Sequence, residues 1–108
     1  MRRGELWTVA GGVYATKPRP ALILQDDLFD HTDSVTVVPL TSTLIDAPLL
    51  RHRVEATDLS GLQHDSDIMV DKTTTVRRSN LPQRVGRLTS QQLADVERLV
   101  VIFLGLAR

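Results

Sequence analysis

The chain has 108 residues, 42% of them hydrophobic and 24% charged, which is the size and balance of a single domain covering residues 1–108. It contains no cysteine, and this excludes disulfide scaffolds, thiolate metal sites and thiol nucleophiles. Thirteen basic side chains offset thirteen acidic ones, so there is no broad cationic coat for unspecific nucleic-acid binding.

Glu5–Ala10 alternates around Leu6, Trp7 and Val9 and reads as a first strand. Gly11-Gly12 then opens a loop through Tyr14 and Lys17 to Pro18-Arg19-Pro20, with a permissive first half and a stiff second half. Ala21–Gln25 is a short apolar run, the pattern of a strand buried on both faces. After the acidic turn Asp26–Asp33, Ser34–Thr41 is a β-branched strand whose Pro39 cannot donate to a ladder and so predicts an edge or a bulge. Ser42–Pro48 reads as a loop. Further short strands are expected at Arg51–Ala56, Asp67–Lys72, Thr73–Val76 and Arg84–Leu88. Short strands separated by turn signals point to a small barrel or sandwich.

The C-terminus changes period. Thr89-Ser90-Gln91-Gln92 is a capping box, with Thr89 as N-cap and Gln92 three residues on. Leu93, Val96, Val100 and Phe103 follow at helical spacing, and Gly105 is placed to stop the helix. Leu99, Val101, Ile102 and Leu104 are apolar as well, so the last turns are greasy nearly all round. One small barrel can cover only one helix face, and the other face predicts self-association. The run Leu99–Leu104 is too short to span a bilayer, and Met1-Arg2-Arg3 leads into Gly4-Glu5 rather than into an apolar signal core. A cytoplasmic protein without a membrane partner is expected.

Few residues offer chemistry. His31, His52 and His64 stand in separate segments without metal-ligand spacing, so no metal site is expected. No phosphate-binding glycine loop or dinucleotide fingerprint occurs, so no cofactor is expected either. Lys72, Arg77, Arg78, Arg84 and Arg87 form a stretch free of acidic residues, which reads either as a solvated loop or as a track for phosphates. Arg19 sits between two prolines that hold its backbone extended, and an arginine held this way can meet a phosphate at low ordering cost. Thr41-Ser42-Thr43 is ordinary turn chemistry, hydroxyls bonding nearby backbone.

Several strings give these residues a context: Arg3-Gly4-Glu5-Leu6-Trp7, Arg19-Pro20-Ala21-Leu22-Ile23-Leu24 and Val38-Pro39-Leu40-Thr41-Ser42, then Asp65 to Asp71 and Arg84-Val85-Gly86-Arg87-Leu88. In this order, and through to the closing helix, the chain resembles the MazF/PemK family of toxin endoribonucleases. The resemblance implies a mainly β fold, a small SH3-like (CcdB/PemK-like) barrel with a C-terminal α-helix. It implies a homodimer that cuts single-stranded RNA, usually messenger RNA, at short motifs and that is silenced by a cognate MazE-like antitoxin. The family's strand-opening arginine falls on Arg19, its active-site threonine on Thr41, and a site residue of some members on Asp71, while Ser66 matches with a structural role. Thr74 stands where many members carry arginine, and Met69 where some carry a site arginine, which leaves proton transfer and base recognition open.

The implied reaction fits this sparse inventory. RNA carries its own nucleophile, the 2′-hydroxyl, so the protein has only to hold in-line geometry and stabilise charge on phosphorus. Arg19 and Thr41 are the expected catalytic supports, with Asp71, water or no dedicated group as the base. Bases would be read by the loop carrying Tyr14 and Lys17 and by Ser42 and Thr43, with Tyr14 either a stacking surface or a loop anchor, while Arg77 and Arg78 track phosphates. Trp7 and Phe103 lie in core-like elements. A gyrase-binding toxin of the CcdB type is the alternative, but such proteins depend on a terminal Trp-Gly-Ile where this sequence reads Leu106-Ala107-Arg108. An SH3-like binding module would want an exposed aromatic groove, and this chain has only four aromatic residues.

Overall fold

The computed structural model of the chain describes residues 1–10 and 17–106. Its elements are β1 (Glu5–Val9), β2 (Arg19–Ile23), β3 (Ser34–Thr41), β4 (Arg51–Val54), β5 (Ser66–Met69), β6 (Thr74–Arg77), β7 (Arg84–Arg87) and α1 (Ser90–Phe103). Two boundaries depart from expectation. β2 opens at Arg19, two residues before its apolar run. The segment expected to remain strand up to Lys72 leaves the sheet after Met69 and coils into a 3-10 turn at Val70–Lys72.

All strand pairs are antiparallel, in the order β4-β5-β3-β2-β1-β7, with β6 joined to β3. β3 organises the sheet. One flank pairs with β2, Ala21 facing Pro39 and Ile23 facing Val37. Its other flank is shared: Ser34–Val37 pair with β6, and Leu40 and Thr41 pair with β5. Pro39 therefore marks neither an edge nor a bulge. The Thr36 carbonyl accepts from Leu24 on the β2 side, and backbone groups alternate along a strand. Pro39 thus turns its donor-free nitrogen into the gap between β6 and β5, where no ladder bond is lost. This division of partners curls the sheet into an open half-barrel.

β2 is buried on both faces, as its apolar run implies. Leu22 joins Leu6, Val38, Leu40, Val54 and Ile68 in the main core, which Val96 and Val100 of α1 close. On the other face Ala21 and Ile23 pack with Val9, Val35, Val37 and Leu81, and Trp7 lies half-buried against them. The capping box forms, with Thr89 Oγ1 accepting from Gln92 N at 3.1 Å and Gln92 Oε1 accepting from Thr89 N at 2.8 Å. Gly105 adopts φ 73° and ends α1, its N–H donating to Ile102 O while Leu106 N donates to Val101 O, a Schellman closure. Phe103 does not join the core. It is 47% exposed beside Ile102 at 52% and Leu104 at 56%, because the helix has run past the sheet by its last turn. Among the described residues no helix is long and apolar enough to cross a membrane.

Candidate active site

Arg19 opens β2 opposite Val9 of β1. The β2–β3 register, carried two residues past Ala21 and Pro39, sets Arg19 opposite Thr41 at the end of β3. Side chains alternate along a strand. Val9, Arg19 and Thr41 therefore emerge in one row, on the face of the second core and one step beyond Ala21 and Pro39. Within this row Val9 still belongs to the buried core, and Arg19 and Thr41 stand at its margin.

An open groove of about 450 Å³ lies there. Its floor is apolar, made by Val9, Pro20, Pro39, Leu40 and Met69, and its polar groups are Arg19, Thr41, Thr43 and Lys72. Among the described residues no carboxylate lines it. Two cations and two hydroxyls over an apolar floor suit a ligand that is anionic at one point and flat and apolar at another. Thr41 Oγ1 accepts from Thr43 N at 3.1 Å, which occupies an acceptor site and leaves the hydroxyl proton free to be donated outward. Among the described residues no three His, Cys, Asp or Glu side chains gather in one place.

The other expected residues scatter. Asp71 bonds Arg51 of β4, so its carboxylate is committed to an ion pair and does not line the groove. Arg77 ends β6 opposite Ser34, at the far end of β3 from Thr41, roughly 23 Å away along the strand. Arg78 is tied down, its Nε donating to Thr32 O at 2.8 Å and its Nη1 reaching Met1 Sδ at 3.4 Å. Arg77 and Arg78 are thus not brought to the groove, because β6 runs back along β3 and carries them away. Ser42 faces a separate hollow beside Leu44 and His64, and Lys17 is exposed just before Pro18 without lining the groove. Tyr14 lies outside the described residues. Ser66 is buried and donates to His64 O at 2.9 Å.

Sequence reasoning missed Asp67. It faces Thr41 across the β3–β5 ladder and Arg53 across β4–β5. Its side chain is 1% exposed, with Oδ1 accepting from Arg53 Nε at 2.7 Å and Oδ2 from Ile45 N at 3.0 Å. Burial pushes its pKa up, but the Arg53 hydrogen bond, the Ile45 N–H and the charges of Arg53 and Arg51 outweigh this and hold the carboxyl below the usual aspartate value. Asp67 thereby pins the turn that follows Thr41. The available signal was an acidic residue directly before the apolar string Ile68-Met69-Val70 in a strand, where burial calls for a cation on a facing strand.

A curled half-barrel with a terminal helix, bearing a cationic, hydroxyl-lined groove at one end of its central strands, defines a small β protein with a groove suited to an anionic ligand. Residues 2–104 match the family described as PemK-like, MazF-like toxin of type II toxin-antitoxin system, and the chain belongs to that family. It is 54% identical over 108 residues to the probable endoribonuclease MazF of Mycolicibacterium smegmatis, covering 99% of each chain. It is 29% identical over 116 residues to endoribonuclease MazF9 of Mycobacterium tuberculosis, covering 98% of each. Among solved structures, a mycobacterial endoribonuclease in complex with its cognate antitoxin matches with a TM-score of 0.82 at 21% identity, covering 100% of this chain and 98% of that one. Mycobacterium tuberculosis toxin MazF-mt6 matches with a TM-score of 0.80 at 24% identity, covering 94% and 96%. These two likenesses show a common fold.

Proposed function

We propose that this toxin-family chain is an endoribonuclease that cuts single-stranded RNA, messenger RNA in the first place, at a short motif, and so arrests translation and growth. The observation that carries the reading is the groove in which Arg19 stands opposite Thr41, with no carboxylate lining it among the described residues. The name of the 54% identical relative, a probable endoribonuclease, supports it.

In this reading the RNA 2′-hydroxyl attacks its own phosphate, which needs no protein nucleophile and no metal. The Arg19 guanidinium holds the equatorial oxygens as charge builds on phosphorus, and the Thr41 hydroxyl donates to the same group. Arginine keeps its protons, so Arg19 acts by charge and water protonates the departing 5′-oxygen. Asp71, committed to Arg51, is a poor base, and solvent takes the 2′-proton. The products carry a 2′,3′-cyclic phosphate upstream and a 5′-hydroxyl downstream. Thr43 together with Lys17, Ser42 and Tyr14 would contact the bases or sugars of the splayed strand.

Two partners complete the reading. The exposed face of Ile102, Phe103 and Leu104 would be covered by a second copy, giving a homodimer. A cognate MazE-like antitoxin would lay an acidic segment over the groove and exclude RNA. A mycobacterial endoribonuclease of the same fold is known in complex with its cognate antitoxin.

The test is cleavage of mixed RNA in EDTA, with the new ends mapped at single-nucleotide resolution. Arg19→Ala should lower the rate by on the order of a hundred- to a thousand-fold, the usual effect of losing a donor to a developing anion. A requirement for magnesium, or new 5′-phosphate ends, would overturn the mechanism. Inhibition of gyrase without any cleavage would transfer the protein to the CcdB type.

A further inference from the structure

We infer that Lys72 is a second phosphate contact of the groove, holding the phosphate next to the one that Arg19 engages. The inference rests on the RNA-cleaving reading and names a residue that sequence pattern could not separate from its basic neighbours.

The first support is where the fold carries Lys72. Arg19 and Lys72 lie on the two flanks of β3, one on β2 and the other on the turn that follows β5. β5 pairs Asp67 with Thr41 and then runs back along β3, and the chain rejoins β3 at Thr74 opposite Val37, so Lys72 sits further along β3 than Thr41 while its side chain and that of Arg19 line one groove. Arg77 and Arg78 belong to the same basic stretch, but they are held at the other end of β3. Of these three cations only Lys72 reaches the groove.

The second support is that its charge is unspent. Among the described residues Lys72 forms no ion pair, and the adjacent carboxylate, Asp71, is drawn into the pair with Arg51. That side chain of Arg51 is largely buried, so the Asp71 charge is cancelled within the protein and not by Lys72. An exposed ammonium that has no ion-pair partner among the described residues, over a groove that none of their carboxylates lines, is available to an external anion.

The third support is a fixed base for the side chain. Val70, which opens the turn, is fully buried, and its N–H donates to Leu50 O at 3.0 Å. Thr73 closes the turn, with Oγ1 donating to Val70 O at 2.8 Å and N donating to the same oxygen at 3.3 Å. Holding a phosphate therefore orders only the lysine side chain. A lysine acts on phosphate as a flexible point charge, which suits a flanking contact better than the reacting centre.

The experiment compares wild type, Lys72→Gln and Lys72→Arg on a 2′-deoxy analogue of the mapped cleavage site, which binds and cannot be cut. One lost phosphate contact on a single strand should reduce the slope of log K against log salt by about 0.7. On cleavable RNA, Lys72→Gln should raise KM about tenfold, the scale of one hydrogen bond to a charged group, and leave kcat within about twofold. Lys72→Arg should restore slope and KM. A neutral methylphosphonate next to the scissile linkage should weaken binding to wild type and leave binding to Lys72→Gln unaffected. Because Lys72 is exposed, thermal melts of all three should coincide. If wild type cuts RNA but Lys72→Gln keeps the wild-type slope and KM, the inference fails while the functional reading stands. If the neutral linkage weakens both proteins equally, the assigned phosphate is wrong. If wild type cuts no RNA, the functional reading itself fails.

Discussion

Replacing Asp67 tests whether a buried charge pins the turn behind Thr41. Asp67→Ala removes two hydrogen bonds to a carboxylate, one from Arg53 and one from Ile45 N. Hydrogen bonds to charged groups contribute about 1.5–3 kcal/mol each. The Arg53 side chain is half exposed and regains water when its partner goes, so its bond counts at the low end. The Ile45 N–H is left without an acceptor. The loss should total about 2–3 kcal/mol, or a fall in Tm of about 10 °C for a domain of this length. Asp67→Asn keeps an oxygen for Ile45 and should cost about half as much. The pH dependence has a definite sign. The folded pKa of Asp67 is lowered from 3.8, so its stabilisation is complete above that value and disappears as pH falls through the folded pKa. Melts of wild type and Asp67→Asn, followed by circular dichroism, should therefore differ by a constant amount at neutral pH, begin to approach each other as pH falls below 3.8 and converge only below the lower folded pKa. Cleavage at temperatures where both are folded should fall as well, because the turn carrying Thr43 is released. A variant that melts with wild type at pH 7, or a gap that persists in acid, would refute the account.

Thr41→Val keeps the shape of the strand end and removes the hydroxyl. RNA cleavage should drop on the order of ten- to a hundred-fold, less than for Arg19→Ala, because a neutral donor is lost, and an undiminished rate would remove Thr41 from the mechanism. Ile102→Glu places a charge in the apolar end of α1, and sedimentation at micromolar concentration should find dimers of wild type and monomers of the variant. A wild-type monomer that still cuts RNA would end the dimer reading. Gly86→Ala would set a Cβ 2.2 Å from the Ser60 carbonyl oxygen, where the loop backbone lies directly on β7. It should destabilise by about 3 kcal/mol or more, and an unchanged urea midpoint would contradict that packing.

What could be read from the chain alone was local. The apolar run after Pro20, the β-branched run Ser34–Thr41, the Thr89 capping box and Gly105 each act through neighbours a few residues away, and each forms the element its residues favour. The prolines around Arg19 hold it extended whatever lies opposite. The resemblance of short strings to one family added Arg19 and Thr41, which composition would not have chosen. Only the tertiary structure decided which charges meet. Whether Lys72 or Arg77 shares a groove with Thr41 depends on β3 dividing one flank between β5 and β6, a register set between residues 26 to 43 positions apart. The β4–β5 pairing likewise brings Arg51 to Asp71 and sets Arg53 opposite Asp67. Periodicity reports which face of a strand is apolar, but it carries no information on which distant strand lies across from it.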